Sequence, residues 1–131
     1  MLNIGLKAEY TVKVEESNTA AVVGSGSLPV FATPALAALA EKTACICLEG
    51  HLDEDFTSVG TVLNIKHMAP TPEGMKVSCS CTLTEVDGRR LVFTATVYDA
   101  VGTVGEVYHE RFIVKAKSFT EKANARGENL G

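Results

Sequence analysis

Only one stretch of this chain carries helical periodicity, and it is apolar almost all the way round. In ALAALAEKTACICLEG, Leu36, Leu39, Ala40, Thr43 and Cys47 form one stripe, while Ala37, Ala38, Ala44, Ile46 and Leu48 carry apolar surface around the rest. A helix with that distribution has to be buried, so the remainder of the chain must supply its wrapper. Thr33 reads as the N-cap, Pro34 as the first helical residue, whose missing N–H is an orphan there anyway, and Gly50 as the residue just past the C-terminus.

The wrapper reads as strands. Residues 8–16 alternate, with Tyr10, Val12 and Val14 opposite Thr11, Lys13 and Glu15. After the helix and a polar loop at 51–57 come four more strand-like segments, at 58–68, 75–86, 89–98 and 104–117. Pro70–Gly74 separates the first two, Asp87-Gly88 reads as a two-residue hairpin turn, and Asp99–Gly102 breaks the last pair. Residues 20–30 read as a Gly/Ser-rich loop, and the polar tail from Ser118 is predicted to fray beyond Ala125. Strand, buried helix, four antiparallel strands is an α+β order. A curved antiparallel sheet of about five strands around one helix satisfies it, which is the hotdog architecture. The 131 residues are enough for one core and are expected to form a single domain over 1–131. An uncovered sheet edge predicts a homodimer.

Charge and composition exclude several classes. The formal net charge is −4, which argues against nucleic acid as a partner, since phosphate-backbone binding needs a basic face. No run approaches the ~20 apolar residues of a membrane span. The N-terminus MLNIGLKAEY lacks a charged leader and apolar core, so a cytoplasmic protein is expected. The cysteines form two Cys-x-Cys pairs, Cys45/Cys47 on the helix and Cys79/Cys81 on a strand. That spacing reads as small core thiols in a reducing compartment rather than a zinc site. Phosphate-binding loops, dinucleotide-binding glycine motifs, nucleophile elbows and zinc-protease helices are all missing from the sequence.

A few residues could carry chemistry. Glu41 interrupts the apolar helix, where a carboxylate must be paired, hydrogen-bonded or protonated; the plainer reading is that Glu41 and Lys42 mark a solvated strip. Thr33 lies eight residues upstream, a little over two turns, so both sit near one helix face roughly 12 Å apart. The helix N-terminus also offers free N–H groups to an oxyanion. His67 falls on the strand face shared by Ile65 and Ala69, as a core histidine or a general base. Gly60 inside a strand marks a bulge or close backbone approach. Arg111 could grip a phosphate or carboxylate, or pair on the surface with Glu110. His51 and His109 have weaker claims, and Arg89 and Arg90 beside the turn read as solvated.

In this order and spacing the residues resemble the hotdog-fold thioesterases of the fluoroacetyl-CoA thioesterase-like group. The resemblance is carried by Phe31-Ala32-Thr33 with Glu41 eight residues after the threonine, Val59-Gly60-Thr61 with His67 seven after the glycine, and His67-Met68-Ala69-Pro70-Thr71-Pro72. Glu85–Leu91 and His109-Glu110-Arg111-Phe112 also match. It implies Thr33, Glu41 and His67 as the catalytic set, Gly60 and Arg111 as substrate-binding residues, a hotdog dimer with sites near the subunit interface, and no metal or redox cofactor. The implied reaction is hydrolysis of a small or medium acyl-CoA thioester to acid and free CoA, with Arg111 meeting a CoA phosphate. A non-catalytic acyl-CoA binding module and an acyl-thioester hydratase or dehydratase are the alternatives. Before Phe31 the family carries a bulky, lid-like segment where this chain has Gly24-Ser25-Gly26-Ser27-Leu28-Pro29-Val30, which implies a broader or different acyl group.

Overall fold

A computed structural model describes residues 2–130. Five strands and one long helix dominate: β1 (Lys7–Lys13), α2 (Thr33–Leu48), β2 (Phe56–His67), β3 (Lys76–Asp87), β4 (Arg90–Tyr98) and β5 (Thr103–Lys115), with a short α1 (Ala20–Val23) and a terminal α3 (Ala116–Glu128). The strands form one antiparallel sheet in the order β1-β3-β4-β5-β2. The sheet curls around α2, as the all-apolar helix requires. β1 and β2 are therefore its edges, and β2 pairs with β5 alone.

The core divides along the helix. Its N-terminal half packs Leu36, Leu39 and Ala40 against Val77, Cys79, Val97, Val104 and Val107, with Phe31 and Val14 closing the end. Its C-terminal half packs Ala44, Cys47 and Leu48 against Cys81, Leu83, Leu91 and Phe93. α2 is not enclosed on every side, however. Ala38, Lys42 and Cys45 form an exposed strip, with Glu41 half-buried at its margin.

Three local expectations need correcting. The helix N-cap is Ala32, and Thr33 is already helical; its hydroxyl makes no cap hydrogen bond but is engaged elsewhere, as described below. Asp87 pairs with Arg90, so the hairpin turn is Gly88-Arg89 rather than Asp87-Gly88. Gly88 sits at the first turn position with φ +61°, where primed turns require a left-handed residue and glycine meets no steric cost. The tail does not fray after Ala125: α3 continues to Glu128, although all its side chains are solvent-facing or nearly so. The 20–30 loop also contains α1 and closes on itself through Ala20 N–H to the Val30 carbonyl and Ala21 N–H to the Leu28 carbonyl.

β2 carries the irregularity that matters most. Gly60 pairs with Arg111 and Val62 with Glu110, leaving Thr61 as an extra, bulged residue. Side chains alternate along a strand, so residues seven apart ordinarily face opposite ways. The bulge resets the alternation: Ser58 and Gly60 before it, and Leu63, Ile65 and His67 after it, lie opposite the inward β5 residues Ile113, Arg111, His109, Val107 and Gly105 respectively. Among the described residues, no helix is long and apolar enough to cross a membrane.

Leu36 is 0% exposed in the N-terminal half of this packing. Leu36→Ala is expected to cost about 2–5 kcal/mol, read as a lowered urea midpoint with unchanged slope.

Candidate active site

The five residues singled out from the sequence lie on the helix-facing side of the sheet but fall into two groups. Thr33 and His67 form the first. α2 and β2 run in opposite directions, so the start of the helix meets the end of the strand. Thr33 Oγ1 and His67 Nδ1 are hydrogen-bonded at 2.8 Å. This explains why Thr33 does not cap its helix. His67 Nε2 is buried and lacks a hydrogen-bond partner. Burial pushes the His67 pKa down, against a smaller upward pull from the Ala69 backbone. The pair borders a cavity of about 290 Å³ whose wall includes Val30, Phe31, Met68 and Ala69.

Glu41, Gly60 and Arg111 form the second group, two turns further along α2. The side chain of Glu41 is 44% exposed, at the margin of the solvated strip with Lys42 and also facing a charged partner. That partner is buried: the Arg111 side chain is only 7% exposed, with Nη1 3.8 Å from Glu41 Oε2. Arg111 Nε donates to Ser58 Oγ at 2.8 Å, and Nη2 to the Ser58 carbonyl at 3.0 Å. Gly60 makes room for the carboxylate, because a Cβ there would stand 2.6 Å from Glu41 Oε2.

The remaining guanidinium contact brings in a residue that the sequence reading undervalued. His109 is buried, and its Nε2 lies 3.1 Å from Arg111 Nη1 while its Nδ1 lies 2.8 Å from the Val62 carbonyl. An arginine can only donate and a carbonyl can only accept, so Nδ1 carries the proton and His109 is neutral. Burial first, and then the Arg111 charge, push its pKa down. The signal was present in the sequence: His109 and Arg111 are two apart in a strand and so share a face. The expected surface pairing of Arg111 with Glu110 does not form. Glu110 lies on the other face, bonded to Arg90 at 2.8 Å. The Arg111 guanidinium is turned inward, toward Ser58, His109 and Glu41.

The cysteines take no part in this geometry. All four are free thiols; Cys47, Cys79 and Cys81 are buried and Cys45 is exposed. Burial raises the three core thiols, with Cys81 pushed up to about 12. Cys45 lines a second cavity, of about 260 Å³, with Leu48, Phe56 and Ser58, one helical turn beyond Glu41.

Chemically, the second group supplies an accessible carboxylate of fixed position and the first an imidazole–hydroxyl pair. Their helical residues are eight apart, roughly 12 Å along the axis, so one protomer does not by itself close them around a single reacting atom.

A family model described as "Fluoroacetyl-CoA-specific thioesterase" matches residues 14–117. A fluoroacetyl-CoA thioesterase from Streptantibioticus cattleyicolor is 31% identical over 97 residues, which cover 74% of this chain and 70% of that protein. A solved structure of a substituted form of fluoroacetyl-CoA FlK in complex with acetyl-CoA superposes with a TM-score of 0.90 at 25% identity, covering 95% of this chain and 98% of the other. A hot-dog-like protein from Thermanaerovibrio acidaminovorans gives a TM-score of 0.86 at 25% identity, covering 94% and 91%.

Both His67 and His109 have depressed pKa values in the folded chain. The unfolded chain therefore binds more protons between the folded value and the ordinary imidazole value of about 6.5. Their contribution to stability is complete above that value and is lost as pH falls through the folded values. Urea unfolding as a function of pH should show stability rising with pH across this window, and both imidazoles should titrate below the ordinary value by NMR.

Proposed function

The chain belongs to the fluoroacetyl-CoA-specific thioesterase family, and on that premise we propose that it is an acyl-CoA thioesterase acting on a small or medium acyl group. Water and the thioester give the carboxylic acid and free CoA. The observation that carries this reading is the Glu41 carboxylate, held above Gly60 by a buried Arg111 that His109 and Ser58 lock in place. Glu41 works on the thioester carbonyl, as a nucleophile that forms a mixed anhydride or as a base that activates water. His67, oriented by Thr33, carries a proton to the leaving thiolate. The backbone at Gly60 and the free N–H groups at the start of α2 face the developing oxyanion.

The gap between the two residue groups supports a homodimer. The β2 edge is unpaired and exposes Val62 and Leu63, and such an edge calls for a cover. Two β2 strands paired antiparallel about the midpoint of Leu63 and Asn64 would set Gly60 opposite the partner subunit's His67, because the two positions are equidistant from that point. Glu41 of one protomer then works with the Thr33–His67 pair of the other, and each dimer holds two sites. The cytoplasm suits both a CoA substrate and four free thiols. The small residues Gly24–Ser27, which stand before Phe31, support acceptance of acyl groups beyond fluoroacetyl.

The primary test follows loss of thioester ultraviolet absorbance across short, branched and longer acyl-CoAs. Glu41→Gln and His67→Ala are each expected to lower kcat by about 100- to 10,000-fold with urea stability retained; full activity in both would overturn the assignment. Release of the thiol distinguishes hydrolysis from hydration. In a single turnover in heavy-oxygen water, an unlabelled first acid marks an anhydride opened at the Glu41 carbonyl, whereas label in the first acid marks attack of water at the acyl carbonyl. Leu63→Lys at the edge is expected to yield monomers by sedimentation and to abolish turnover.

A further inference from the structure

Turned inward, Arg111 leaves the anionic end of a CoA ester without a binding partner at the position the sequence pointed to. The structure offers another. On the outer side of β5, where the strand runs into α3, lies a pocket of about 430 Å³ lined by Arg89, Phe112, Lys115, Phe119 and Lys122, with Val114 at its base. That size is within the range of small-ligand sites. Three cations converge there and no acidic side chain lines the pocket. Among the described residues none of the three is held in an ion pair. In a chain of net charge −4, such a concentration is a local reversal of the protein's field. Phe112 and Phe119 are 41% and 43% exposed, two aromatic side chains kept in water beside the cations.

One side chain stands between the pocket and the cavity next to the candidate active site. The Arg89 guanidinium lies 5.7 Å from the centre of the Phe56 ring. Phe56 in turn walls the cavity that begins one helical turn beyond Glu41. The Arg89 carbonyl accepts the Ile113 N–H at 2.8 Å, which fixes the β3–β4 turn against β5. A neutral flexible arm could run from Glu41 past Cys45 and Phe56 and emerge at Arg89.

We propose that this basic, aromatic-flanked pocket is the subsite for the phosphorylated nucleotide end of the acyl-CoA, with Arg89, Lys115 and Lys122 taking phosphate oxygens and Phe112 and Phe119 flanking the adenine. The assignment rests on the thioesterase reading above for its choice of ligand. Lysine and arginine supply charge-assisted hydrogen bonds to phosphate, and an exposed aromatic face is a stacking platform for any base.

The test separates the two claims. Calorimetric titration with the free nucleotide moiety of CoA, a ribose-phosphorylated ADP, reads the pocket without any turnover. The wild-type protein should bind it. The double variant Arg89→Glu/Lys122→Glu and the single variant Phe119→Ala should each weaken binding, the former by about tenfold or more because opposed charges replace attractive ones. The double variant Lys7→Glu/Lys13→Glu, on the far edge of the sheet, makes the same change in net charge and should bind as the wild type does. Absence of binding to the wild type, or equal binding by the double variant, overturns the proposal. Inorganic pyrophosphate binding as tightly as the nucleotide overturns the adenine assignment. In the kinetic arm, the double variant should reduce the preference for acyl-CoA over the matching acyl-N-acetylcysteamine thioester by about tenfold or more, and an unchanged preference counts against it. Should the wild type hydrolyse neither thioester, the thioesterase reading fails, while the titration still decides the pocket.

Discussion

A guanidinium almost sealed from water must find partners inside the protein, and most of this site is a consequence of how Arg111 finds them. Leaving a buried charge uncompensated costs several kcal/mol, so each of its contacts restrains another element. Ser58 ties it to the first half of β2, His109 to its own strand and, through the Val62 carbonyl, to the second half of β2. What remains of its charge is directed at Glu41 on α2. The carboxylate needs no deep burial to be well placed, because its position is set by a neighbour that is deeply buried. Neutral His109 is the suitable third member: an imidazolium there would oppose Arg111 and could not accept its N–H.

The same logic explains which parts of the molecule could be read from the sequence. The helix and the five strands were legible because burial imposes periodicity, and α2 could only be satisfied by a wrapping sheet. Gly50 past the helix C-terminus held, as did burial of Cys47, Cys79 and Cys81; Cys45, read as a buried or half-buried thiol, is instead exposed. The misreadings have a common origin. Thr33 has the side chain of a good cap, but a tertiary partner, His67, won its hydroxyl. Arg111 has Glu110 beside it in sequence as a surface partner, but Ser58, distant in the chain, and His109, hidden by alternation, claimed its donors. The turn was misplaced by one residue because Asp-Gly is a strong local motif, whereas the pairing of Asp87 with Arg90 is set by register along the whole hairpin. α3 has almost no apolar pattern to announce it.

The division of the site into two groups also has a physical reading. Within one protomer the Glu41 carboxylate has the Arg111 charge as its partner, and His67 has the Thr33 hydroxyl. Separation along α2 leaves Glu41 half-exposed beside the Arg111 charge and leaves His67, near the Phe31 strap, with a buried Nε2.

The bulge at Thr61 carries a consequence for how such chains diverge. The distance from Gly60 to His67 is an odd number of residues, and only the bulge lets both face the helix. Losing one residue there would yield a regular strand with the same facing, since six is even; losing or gaining a residue elsewhere in the span would not be absorbed so simply. Relatives of this chain are therefore expected to vary in length within β2 only at the bulge. An alignment that enforces a constant glycine-to-histidine spacing would discard functional members, and parity of facing is the sounder criterion for membership.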